Sequence, residues 1–242
     1  MIFKLSMKKH FLIYLFLFFV LACNFAFAKG NRDSLYAELR NTNLHDTLRA
    51  ASIMNFTFSW PEPKFDTAVP LIEEGYQLAL KHHKNILATA LLGRKIFFYV
   101  HNGKGIEAFS ICQEMAMLGE KEKDNNILGQ AFELRGSVFQ SFNMLTKAAD
   151  ELKQAIYYYE KSGDKEAENR SRYLLGYYSF NSKDYSTALP NFRKAYAYML
   201  SLPKSDVNIL YEYCGWVGNT FRQMNQFDSA LYYRMALHCL LK

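Results

Sequence analysis

Ala68, Ala108, Ala148 and Ala188 stand 40 residues apart, and Ala230 follows after a step of 42. Two of the five lie in nearly the same words, FDTAVP at 65–70 and YSTALP at 185–190. A proline inside a helix removes a backbone hydrogen bond and costs about 3 kcal/mol. A duplicated Thr-Ala-aliphatic-Pro in helix-forming sequence therefore points to a duplicated structural unit. Units of this size share a core by stacking on their neighbours.

The flanks keep the same register. Four residues after the first four alanines come Ile72, Cys112, Leu152 and Phe192, and seven after come Gly75, Met115, Ala155 and Ala195. Positions i, i+4 and i+7 share one side of a helix. Twelve residues before three of the alanines lies a glycine, Gly136, Gly176 or Gly218, whereas the first two units have Phe56 and Ile96 there. Glycine in a helix costs about 1 kcal/mol against alanine. Its recurrence places a close helix–helix approach on a preceding helix, so each unit reads as a helical hairpin.

These residues resemble the tetratricopeptide repeat (TPR), with its Leu-Gly pair, an aromatic three residues on, and an Ala, large apolar, Ala series in the second helix. The resemblance spans roughly 45–242. It is carried best by Gly136, Phe139, Ala148, Leu152 and Ala155, then by Leu175, Gly176, Ala188, Phe192 and Ala195. The family period is nearer 34, so longer helices or loops are expected. The fifth unit departs, with Arg234 and Leu237 at +4 and +7 and Tyr233 and Ala236 one place early. The expected fold is all-α: a right-handed α-solenoid of about five TPR-like hairpins with a period of about 40.

The punctuation agrees. Gly163 suits a helix end and Asp164 the next cap, while Pro203 stops a helix and Asp206 opens another. Pro70 and Pro190 fall six residues after caps at Lys64 and Asp184, where they bend the second helix near its start. No βαβ rhythm appears, and the 20 Phe and 17 Tyr read chiefly as core.

The N-terminus is a separate matter. Lys4, Lys8 and Lys9 precede the apolar run FLIYLFLFFVLA, and Ala26-Phe27-Ala28 follows, which together predict a secretory signal peptide over 1–28 and export to the periplasm. The run is too short to span a membrane as a helix. Met7 offers an alternative start. Val20-Leu21-Ala22-Cys23 resembles a bacterial lipobox, so the alternative is a membrane-anchored lipoprotein with lipid on Cys23. Residues 29–44 read as a linker or partial helix, and 45–242 as the repeat domain.

Cleavage after Ala28 leaves 26 basic and 23 acidic residues, a balance that does not suggest nucleic acid. Three cysteines remain, Cys112, Cys214 and Cys239, an odd number that excludes a fully paired framework. The spacing makes a Cys214–Cys239 bridge geometrically conceivable, but two buried thiols are the favoured reading. HNGKG at 101–105 lacks P-loop spacing and reads as a hairpin turn. His82 and His83 are adjacent and cannot clamp a metal as an i, i+4 pair does. The carboxylates of EKEKD and DKEAE read as solvated helix starts. No catalytic residue, cofactor or metal is expected, and the chain is not predicted to be an enzyme.

The resemblance implies binding of a protein or peptide in a concave groove lined by the first helices. Its groove positions map onto Gln130, Glu133, Ser137, Gln140 and Ser141; onto Arg170, Tyr173, Tyr177, Phe180 and Asn181; and onto Glu212, Asn219, Arg222 and Gln223. The fourth unit stands out for its aromatics beside Arg170. Such a stripe serves either as binding hot spots or as packing against the next hairpin. The family's carboxylate clamp is unsupported, since Asn219 is preceded at the required lysine position by Gly215. The opening DSLYAELRNTNLHDTLRA resembles the exported sensor half of bacterial TPR-containing histidine kinases and regulators, which implies ligand sensing in signal transduction. Leu237, Leu240 and Leu241 near the C-terminus suggest a homo-oligomer through the last repeat. Membrane contact is expected only if Cys23 is lipidated.

Overall fold

Aspartates that break helical backbone geometry also begin helices, because a carboxylate can accept the first free amide protons of the next turn. Asp124 accepts from the amides of Asn126 and Ile127, Asp164 from Ala167, Asp184 from Thr187 and Asp206 from Asn208. In a computed structural model, these caps open four of ten helices among the described residues. Those residues are Leu39, 44–59, 64–203 and 206–240, with side chains through 236. The signal sequence, Cys23 and most of the 29–44 segment lie outside them.

The helices are α1 (Asp46–Thr57), α2 (Phe65–Lys81), α3 (Asn85–His101), α4 (Gly105–Glu122), α5 (Asn125–Ser141), α6 (Leu145–Ser162), α7 (Lys165–Asn181), α8 (Tyr185–Ser201), α9 (Val207–Gln223) and α10 (Phe227–Leu240). No strand occurs among the described residues. Pro70 and Pro190 lie inside α2 and α8, each as the sixth residue.

A left-handed residue closes the turns: His83, Gly103, Lys123, Asn143, Gly163 and Lys183, spaced 20 residues apart, and then Asn225. At Lys183 the amide of Asp184 reaches back to the carbonyl of Ser179 at 2.8 Å. The same six-to-one bond recurs at Lys84, Lys104, Asp124, Met144 and Gln226, so most helix ends satisfy an orphan carbonyl in one way.

The chain divides into two compact units inside α3, between Phe98 and Tyr99. In the first, Ile53, Ile72, Leu91 and Leu92 are fully buried. Arg49 pairs with Glu74, Lys95 with Glu73 at 2.5 Å, and Lys81 and His82 share the carboxylate of Asp46 at 2.7 and 2.9 Å. The Arg94 guanidinium lies over the rings of Phe58 and Phe97.

In the second unit, the Ala, +4 and +7 positions form the buried seam of the second helices. Ala148, Leu152 and Ala155, then Ala188, Phe192 and Ala195, are all inaccessible to solvent. The recurrent glycines face this seam. A Cβ on Gly176 would fall 2.7 Å from the Phe192 ring, and one on Gly218 would fall 3.2 Å from Cβ of Tyr233. Tyr233, one residue ahead of the expected register, fills the fifth seam and stacks on Phe221 with centroids 5.6 Å apart.

One expectation is corrected. Glu168 of DKEAE is not solvated: it is buried with Arg172, which bonds it at 3.0 Å and also reaches Glu160 at 2.5 Å. Burial pushes the Glu168 carboxyl pKa up, yet hydrogen bonds from Lys165 and Arg172 outweigh it and hold the group below its ordinary range. Cys112 and Cys214 are free, buried thiols, which agrees with the favoured reading for both and leaves Cys214 without a bridge. The Cys239 side chain lies outside the described residues. The Cys214 thiol instead points at the carbonyl of Tyr233, 3.6 Å away, and burial pushes the Cys112 pKa up to about 12.

Candidate functional site

Helices α5, α7 and α9 are the first helices of successive hairpins, and their side chains interlock. Arg170 on α7 donates a two-pronged pair of hydrogen bonds to Glu133 on α5, at 3.0 and 3.1 Å, while the Ser171 hydroxyl donates to the same carboxylate at 2.8 Å. Burial works against the Arg170 charge, but Glu133 more than compensates and raises its pKa. A bidentate guanidinium–carboxylate fork fixes orientation as well as charge. The Arg170 cation is therefore already committed within the molecule.

The aromatic stripe is committed in the same way. Tyr173 stacks on Tyr213 of α9 with centroids 4.3 Å apart and planes 6° from parallel, and its hydroxyl donates to Glu212. Burial, then Glu212, pushes the Tyr173 phenol pKa up. Tyr177 and Phe180 meet Trp216 edge to face at 5.3 and 5.2 Å, and Phe192 of α8 stacks on the same indole at 5.6 Å. Three rings from the fourth hairpin thus converge on one tryptophan of the fifth. Offset and edge-to-face pairs add about 0.5–1.5 kcal/mol each beyond burial.

The structure places the remaining candidates differently. Gln140, Asn181, Asn219 and Arg222 are exposed, and no hydrogen bond or ion pair joins them among the described residues. Asn181 bonds back to the carbonyl of Tyr177 at 2.8 Å. Arg222 lies in the last turn of α9. Exposed Ile209 and Tyr211 add apolar surface toward the start of α9. The face therefore offers ring edges, the Glu212 carboxylate and amide side chains to solvent, over a framework of ring stacks and an ion pair.

Tyr213 and Trp216 were not singled out from the sequence. Aligning the fifth unit on Gly218 with a step of 42 sets Gly215 opposite Tyr173, and that glycine has open space around it. A step of 40 sets Tyr213 opposite Tyr173, and this was the available signal.

No protein-family model matches the chain, nor does any curated sequence. Solved structures do. BtubC (BKLC) from P. vanneervenii superposes with a TM-score of 0.69 at 13% identity, covering 89% of this chain and 88% of that one. A putative kinesin light chain with TPR-like repeats from Podosopora anserina gives 0.58 at 12% identity, covering 81% and 93%. MamA gives 0.54 at 16% identity, covering 81% and 91%. At these identities the likeness is one of fold, and with the ten helices it establishes a TPR-type α-solenoid of about five hairpins.

Proposed function

We propose that this chain is an exported, non-catalytic interaction module that holds a protein or peptide segment on the face formed by α5, α7 and α9. The observation that carries the reading is the locked stripe of Glu133–Arg170, Tyr173–Tyr213 and Trp216, flanked by the exposed Gln140, Asn181, Asn219 and Arg222. A preorganised surface loses little freedom on binding. Ring edges beside amides suit an extended backbone, which needs donors and acceptors along its length. The resemblance of the N-terminal segment to exported sensors supports a role as the ligand-sensing part of a signalling system.

A photo-crosslinking residue at Asn219 or Gln140, introduced in intact cells, tests this. Both sites are expected to capture the same partner, while the exposed Lys153 on α6 captures none. Equal capture from all three positions would overturn the reading. The Val20–Cys23 motif favours a second reading, a scaffold lipoprotein anchored at the outer membrane through Cys23. Metabolic labelling with an alkyne fatty acid separates the two: label retained in the chain and lost on Cys23→Ser supports the anchored form.

A further inference from the structure

Second helices α8 and α10 leave an open groove of about 590 Å³ between them. Pro190, Ala197 and Leu200 line one side, and Tyr232, Tyr233 and Ala236 the other. Its deeper wall includes the half-buried Tyr196 and Tyr233, whose rings meet edge to face at 6.3 Å. The small side chains of Ala197 and Ala236 leave the space unfilled. Leu200 and Tyr232 of this lining are more than half exposed, as are Leu231 and Met235 of α10.

Charge narrows the choice of occupant. Arg193 and Lys194 also line the groove, and neither has an ion-pair partner among the described residues. Helix α8 carries no acidic residue from Tyr185 to Ser201. A second copy docking by the same face would set these cations against their own counterparts, because a two-fold interface pairs a surface with itself. From Pro190 to Leu200 the groove follows α8 for about 15 Å at 1.5 Å per residue, the length of nearly three helical turns.

We propose that this groove receives a short amphipathic helix of a partner protein whose apolar stripe is flanked by carboxylates. Leucine-sized side chains enter over Ala197 and Ala236, and the carboxylates meet Arg193 and Lys194. The site is independent of the first-helix face, since it uses the second helices only.

A fluorescein-labelled probe helix of about two heptads, with leucine at the a and d positions and glutamate flanking them, tests the proposal by anisotropy against the purified chain. The glutamate probe is expected to bind, its lysine counterpart is not, and binding should weaken about tenfold as salt rises to about 0.5 M. Arg193→Glu with Lys194→Glu should weaken it about tenfold or more, and so should Ala197→Leu, which fills the groove without changing charge. If Ala197→Leu alters the melting curve, the exposed charge variants decide. Equal binding of both probes, or indifference to the charge variants, would overturn the proposal. So would binding of phosphatidylglycerol vesicles in place of the glutamate probe, which makes the face a membrane contact. Dimerisation abolished by the same variants would assign the groove to a second copy.

Discussion

A methyl group on Gly176 would stand 2.7 Å from the Phe192 ring, whereas one on Gly215 would meet nothing within 4 Å. Two glycine-to-alanine changes in neighbouring first helices are thus expected to act in opposite directions. Gly176→Ala should lower stability by about 1–3 kcal/mol through overpacking, while Gly215→Ala should raise it by about 0.5–1 kcal/mol through helix propensity. Thermal melts of both variants check this, and equal shifts would detach Gly176 from the hairpin contact. Asp46 supplies a second residue-scale test. Hydrogen bonds from Lys81 and then His82 lower its pKa from 3.8 to about 2. A depressed folded-state pKa stabilises above the unfolded value, and that contribution is lost as pH falls through the folded one. Urea midpoints should therefore drop between about pH 4 and pH 2, more steeply for the native chain than for Asp46→Asn. Parallel profiles would show that the carboxylate is not linked to folding. Tyr173 and Tyr177 mark where residue-level reading ran out. Their place on the first helix was legible from the repeat, but the rings that cover them come from Tyr213 and Trp216, one hairpin later.

Among the elements, the turns were the least legible in sequence. Gly103 and Gly163 announce themselves as left-handed helix ends, but Lys123 and Lys183 adopt the same conformation at φ +55° and +64°. Left-handed backbone costs a non-glycine residue about 1–2 kcal/mol. The bond from Asp184 to Ser179 and the cap that Asp184 gives Thr187 offset that cost. Lys183→Gly removes the strain at some expense in unfolded-state entropy and should raise stability by about 0.5 kcal/mol. The urea midpoint is the measurement, and a fall would mean that the lysine side chain contributes more than its backbone costs. Helix starts were easier to read, because Asp164, Asp184 and Asp206 announce themselves by residue type. Glu168 shows the limit of such reading. Its neighbours in sequence are acidic and basic alike, and only the return of Arg172 one turn later, with Glu160 from the preceding helix, reveals that it is buried.

For the whole molecule, stability is the sum of hairpins and of the joints between neighbours. Trp216 is such a joint, gathering Tyr177, Phe180 and Phe192 from the preceding hairpin. Trp216→Ala should cost about 3 kcal/mol, and the loss should stay local. Hydrogen exchange is expected to quicken in α9 and α10, and less in α7 and α8, with α5 and α6 unchanged. Uniform quickening along the chain would contradict nearest-neighbour coupling. The solenoid was legible because five alanines kept register, and the spacing of a repeat survives where its surface residues vary. The candidate face was only half legible, since it depends on which ring of one hairpin lands on which ring of the next. The left-handed turns at 83, 103, 123, 143, 163 and 183 bear on how such a chain can change length. A block of 40 residues cut from between two like turns closes on the same joint that it left, so whole hairpins can be duplicated or lost by recombination without redesign of the connection. A block of 20 would reverse the direction of every helix beyond the scar, exchanging first helices for second and turning the candidate face inside out.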